Sequence, residues 1–283
     1  MQWKTIRSKY EQHTEVGLIL QHQIIQFLAL VGKYLTKEKA DDSHTNIIFD
    51  TDRNWFIGKT LSKGHYLAID AIELDMMILD ANSKILNKFA LEGKTKAKIF
   101  KWMKTMLFGV GINADHMKNE MHYQLAEHPL DRGAFITFDD VDGFEENAIL
   151  RHNAELVLKE VLDLMGQDVD IRIWPHHFDT GAFIPIEYGE NGELLKYIGI
   201  GLAIPDDMVD VPYFYLSFWS KDKIKDIGNQ DELLAGKWMM PKWDGAVLTL
   251  NDILKVQSAQ VQHQMVMDFY RSGLEVLKGN FPY

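Results

Sequence analysis

Residues 178–204 read FDTGAFIPIEYGENGELLKYIGIGLAI, and this stretch decides the fold class. Two runs rich in apolar, β-branched and aromatic residues, Phe178–Glu187 and Leu194–Ile204, flank a polar segment holding Gly189 and Asn191-Gly192. Asn-Gly accepts the left-handed backbone of a tight hairpin turn, so the runs are predicted to pair antiparallel. Working outward, Val169–Trp174 and Tyr213–Trp219 read as further strands. Before them, Glu145–Met165 carries the stripe Leu150, Ala154, Val157, Leu158, Val161 and Met165, whose period predicts a helix. A closing helix is expected over Asn251–Lys278.

The N-terminal part repeats this order. Apolar residues at 16, 20, 24, 27, 28, 31 and 35 predict a helix over Thr14–Leu35, with Thr14 as N-cap. Strand text follows at Ile47–Phe49, Trp55–Ile57, Tyr66–Leu79 and Ile85–Ala90, then a helix over Lys94–Phe108. The expectation is an α+β fold of two pseudo-repeated halves, residues 1–130 and 131–283. Each half is read as a mainly antiparallel sheet flanked by helices, and the two as packed into one globule. The junction Leu130–Gly143 lacks the Pro/Gly/Ser content of a flexible linker.

Composition narrows the function classes. With 30 basic and 41 acidic side chains, the formal charge is −11, and binding of phosphate backbones needs the opposite balance. The Lys94–Lys104 cluster falls at helical spacing among Ile99, Phe100, Met103 and Leu107, as a solvated helix face does, so no nucleic-acid partner is expected. Without cysteine there are no disulfides, thiolate ligands or Cys nucleophiles, which favours a cytoplasmic location. Val16–Leu35 is long enough to span a membrane, yet Gln21, His22, Gln23 and Gln26 interrupt it. It is read as a buried helix of a soluble protein, and no membrane partner is expected.

Four segments could carry chemistry. Asp41-Asp42-Ser43-His44-Thr45-Asn46 packs six polar side chains at the entrance to a strand. In Trp174-Pro175-His176-His177-Phe178-Asp179 an extended chain would put His177 and Asp179 on one face and His176 on the other. A His beside a carboxylate can bind a divalent cation or act as a base with its orienting acid. Pro205-Asp206-Asp207 offers oxygen ligands, and equally suits a turn. Trp238 and Trp243, near Gly245, could wall a ligand, although buried packing is the commoner use of Trp. Gly199-x-Gly201 lacks the third glycine of a dinucleotide fingerprint, and no phosphate-binding loop, zinc-protease motif or nucleophile elbow is present. His116, His122 and His128, six residues apart, are read as surface or loop histidines.

Taken together, DDSHTN (41–46), WPHHFD (174–179), the Gly199–Tyr215 block and WDGAVL (243–248) resemble a family of uncharacterised bacterial proteins that carries these blocks in this order. The resemblance covers most of the chain and implies a shared pocket without an activity. The family pattern has a Pro-Gly-Asp turn where this chain has Ile204-Pro205-Asp206, and often a His where this chain has Met239. If that His were a metal ligand, it is missing here.

The functional expectation is a small-molecule pocket between the halves, serving an acid–base or metal-assisted hydrolase. His177, Asp179 and Asp42 would be catalytic. His44, Asn46, His176, Asp206, Asp207, Trp238 and Trp243 would bind ligand. A divalent metal, if used, would take His44, His177 and Asp179. The rival is a non-catalytic structural or interaction protein whose His/Asp segments serve only the fold. A monomer or homodimer is expected.

Overall fold

A computed structural model of the protein describes residues 1–138, 141–222 and 233–283; of the Leu130–Gly143 junction, residues 139 and 140 lie outside the described residues. The fold is α+β, with two antiparallel sheets of five and six strands and five α-helices among the described residues. The chain divides into two compact units. One comprises Gln12–Ala148 with Ile173–Phe178, and the other Met1–Glu11, Ile149–Arg172 and Asp179–Tyr283. They are called here the first and second units.

The first unit opens with helix α1 (Gln12–Leu35). Its meander is β1 (Ile48–Asp50), β2 (Trp55–Ile57), β3 (Tyr66–Asp70), β4 (Asp75–Leu79) and β5 (Ile85–Ala90), paired in chain order, and is followed by α2 (Lys96–Gly109). The continuous strand text at Tyr66–Leu79 is two strands. Asp70 breaks it, because its carboxylate accepts the backbone N–H groups of Ile72 and Glu73 (both 2.9 Å), and Leu74 turns in the left-handed region. By length and composition α1 could cross a membrane, but 72% of its apolar window is buried, as in a core helix. Gln21, one of its interrupting residues, donates to Ala71 O at 2.7 Å. Gly32 gives the helix a bare surface on which the 3-10 turn Ser43–Thr45 lies.

The second unit is built on β6 (Arg172–Ile173), β7 (Thr180–Tyr188), β8 (Leu194–Ala203), β9 (Tyr213–Ser220), β10 (Lys237–Trp238) and β11 (Gly245–Thr249), in the sheet order β10-β11-β9-β8-β7-β6. The β7–β8 hairpin turns at Gly192, in the left-handed region as Asn-Gly predicts. Alternation sends Phe214, Leu216 and Phe218 of β9 and Ile198, Ile200 and Leu202 of β8 to one buried face. That face shares a core with Leu150, Ala154 and Val157 of α3 (Asp142–Met165). The expected closing helix is instead α4 (Leu250–Ile253) and α5 (Ala259–Leu277). Gln262 explains the break. Its buried carboxamide donates to Ile6 O and to Val256 O, so the inter-helix loop and the N-terminal segment use bonds that a continuous helix would not offer.

Candidate functional site

The sequence-chosen residues divide between the units. Asp42, His44, Asn46, His176 and His177 belong to the first, and Asp179, Asp206, Asp207, Trp238 and Trp243 to the second. In the first unit the Asp42–Asn46 and Trp174–Phe178 segments gather around His122 and Tyr123. Asp42 accepts from His122 Nε2 at 2.7 Å, and its charge reaches both Tyr123 and His176. The His176 ring lies 5.6 Å from that of Tyr123 and 4.2 Å from that of His177. Burial, then the neighbouring His177, push His176 below the ordinary imidazole range, so it is neutral at physiological pH.

Two expectations need correction. Trp174–Phe178 is a turn rather than the start of a strand. The N–H groups of His177 and Phe178 both donate to Trp174 O, and Phe178 adopts φ 59°. His177 and Asp179 therefore do not share a strand face, and His177 is exposed. His122, read as a surface or loop histidine, is indeed exposed in a loop, and there it pairs with Asp42. His44 is buried, and its Nδ1 accepts from Lys39 N at 3.3 Å, with Asp42 Oδ1 3.6 Å away. That bond ties the buried ring to the backbone just ahead of its own turn. Asn46 is buried in the same segment.

Beside this cluster lies a cleft of about 420 Å³ between α1, α2 and the 119–131 segment. Phe27 and Leu30 give it an apolar side, while Gln23, Gln26, Tyr123, Lys96 and Asp131 supply polar groups. Lys96 pairs with Asp131 at 2.6 Å and also donates to Gln23 Oε1. Gln26 joins cleft to cluster. Its Oε1 accepts from Tyr123 OH at 2.6 Å and its Nε2 donates to Pro175 O at 2.7 Å.

In the second unit, Asp179 accepts from Tyr215 OH at 2.7 Å, and its charge acts on the buried Arg151, which donates to Thr180 Oγ1 at 2.7 Å. Gly181 and Gly201, paired across β7 and β8, make this possible. A Cβ on either would meet the Tyr215 hydroxyl at 2.5 Å. Burial pushes Arg151 down to about 9 against the pull of Asp179 and Glu155, and pushes Glu155 up to about 7 against Arg151. Sequence reading missed both; a charged i, i+4 pair interleaved with the apolar stripe of α3 was the available signal. Asp206 is a turn residue. It accepts from Met208 N and Val209 N, and from Tyr213 OH at 2.6 Å. Asp207 is exposed, Trp238 packs on Phe218 in the core, and Trp243 lies over Gly245.

A pH test addresses Glu155. Its folded value is raised, so the folded state binds the extra proton between the ordinary range and about 7. The resulting stability is complete at pH 4 and lost as pH rises through 7. Between pH 5 and 8, urea unfolding of the wild type should show a loss that Glu155→Gln lacks, on the order of 2 kcal/mol. Equal slopes for the two proteins would refute this.

Among the described residues no three His, Asp or Glu side chains form a group able to hold a metal ion, so His44, His177 and Asp179 do not make one. The chain matches no protein-family profile, no curated protein and no solved structure.

Proposed function

We propose that the first unit binds a small, uncharged, polar molecule in the cleft lined by Gln23, Gln26, Lys96, Tyr123 and Asp131. The observation that carries this reading is the lining itself: amides, a phenol, the Lys96–Asp131 pair and Glu127, whose charge Arg132 balances, against an apolar side from Phe27 and Leu30. A volume of about 420 Å³ suits a small metabolite. Carboxamides present paired donors and acceptors, and a compensated Lys–Asp pair offers no net charge to an ion. Where catalysis follows, the Asp42–His122 pair supplies the base and its orienting acid, with Tyr123 between it and the cleft. Hydrolysis of a neutral substrate by acid–base catalysis is the reaction class that fits these groups.

A thermal-shift screen of neutral polyols, amides and nucleosides tests it. A ligand at about 100 times its dissociation constant adds about 2.7 kcal/mol of stability. Gln23→Leu and Lys96→Met should each remove most of that shift, while His122→Ala should keep binding and lose turnover. Stabilisation by charged compounds alone, or a shift untouched by both cleft variants, would overturn the assignment. One observation favours the second reading, of a non-catalytic protein: His44 is committed to the backbone just ahead of its own turn. On that reading His122→Ala changes stability and nothing else.

A further inference from the structure

The face of the second unit's sheet opposite the core carries a separate arrangement. Gly199, Ser217 and Gly245 stand side by side in register on β8, β9 and β11. Aromatic rings surround this floor. Tyr197 and Trp219, cross-strand partners, stack at 5.8 Å and 19°, Phe183 lies 4.7 Å from Tyr197, and Trp243 lies over Gly245 at the other end. The floor has no room for larger residues, since a Cβ at Gly199 would lie 2.5 Å from Ser217 Oγ and one at Gly245 2.4 Å from the Trp243 ring. Yet the rim stays open to solvent, with Phe183 41% and Trp219 40% exposed. Three connected rings with two of them this exposed forgo apolar burial that the core face takes up fully.

Charge selects the occupant. At the strand ends Lys196 pairs with Glu187 (2.7 Å) and Lys221 with Glu193 (2.8 Å), so these charges cancel. Asp244 is exposed, its charge reaches Tyr197, and it has no ion-pair partner among the described residues. A phosphate-bearing ligand would meet that carboxylate and the overall charge of −11. A neutral ring whose C–H face lies on the negative face of an aromatic, and whose hydroxyls donate to a carboxylate, meets neither penalty. We propose that this tray binds a pyranose ring of a neutral oligosaccharide, stacked on Trp219 and Tyr197 with its hydroxyls on Asp244 and Ser217. This site is independent of the first unit's cleft.

The full chain is titrated with maltohexaose, cellohexaose, xylohexaose and chitohexaose, following tryptophan fluorescence and calorimetric heat up to about 10 mM, where millimolar binding is measurable. One of the four should saturate, with affinity reduced at least tenfold in Trp219→Ala and severalfold in Asp244→Asn. Asp244 is exposed, so Asp244→Asn should keep the wild-type melting temperature, while Trp219→Ala, which loses the stack on Tyr197, should stay folded with a modestly lower one. Phe183→Ala, also at an exposed residue, supplies a third variant should Trp219→Ala fold poorly. No saturation by any of the four overturns the proposal. So does binding that all three variants leave unchanged, or saturation by adenosine in their place.

Discussion

Arg151→Met is expected to destabilise the second unit by about 3–5 kcal/mol, the cost of removing one partner from a buried charge cluster. Methionine keeps most of the length and apolar stem, so packing is a small part of the loss. What disappears is the positive charge that faces both Asp179 and Glu155, together with the donor to Thr180 Oγ1. Glu155, already pushed up by burial, would be held protonated to still higher pH. A double variant that also carries Asp179→Asn should recover much of the loss, because neutralising both partners of a buried pair is often tolerated. Urea unfolding of the two single variants and the double variant measures the coupling. A cost below about 1 kcal/mol for Arg151→Met would show that solvent, and not the protein, carries that charge.

Gly32→Ala should cost about 3 kcal/mol, at the upper end for overpacking, and lower the melting temperature by about 6–12 °C. The new methyl would lie 2.3 Å from His44 O and 3.1 Å from Thr45 Cα. Both are backbone atoms, so no rotamer change relieves the contact. The Ser43–Thr45 turn must lift off α1, taking Asp42 away from His122, so the proposed acid–base pair should be lost while binding in the neighbouring cleft persists. Gly109→Ala is the control. Nothing lies within 4 Å of a Cβ there, and it should be neutral or stabilising by a few tenths of a kcal/mol. A Gly32→Ala protein as stable as the control would mean that the turn is mobile enough to yield.

Local pattern made the fold class readable. The alternation in Leu194–Ala203 and Tyr213–Ser220 states which side of each strand faces the core, and Asn191-Gly192 states how two strands join. The period of α1 and the stripe of α3 place two helices, because burial on one face imposes a 3.6-residue repeat that no remote residue is needed to see. The same locality explains the errors. Phe178 in the left-handed region delays the start of a predicted strand, and Gln262 bonds to Ile6 and Val256 where a continuous helix is expected.

Of the first candidate cluster, the sequence by itself determined that Asp42 and the two histidines at 176 and 177 lie in polar segments beside strands. Only the tertiary structure decided that Asp42 pairs with His122, 80 residues away, and that Gln26 of α1 holds both Tyr123 and Pro175. It also decided that Arg151 answers to Thr180 and Asp179 and that glycines 181 and 201 clear the way for Tyr215. A hydrophobic period is written over neighbouring residues because each element must bury one face. A polar pairing is fixed by which remote elements that burial brings together, and by the cost of leaving a buried charge or hydrogen-bonding group unmatched, and neither leaves a mark at any fixed spacing along the chain.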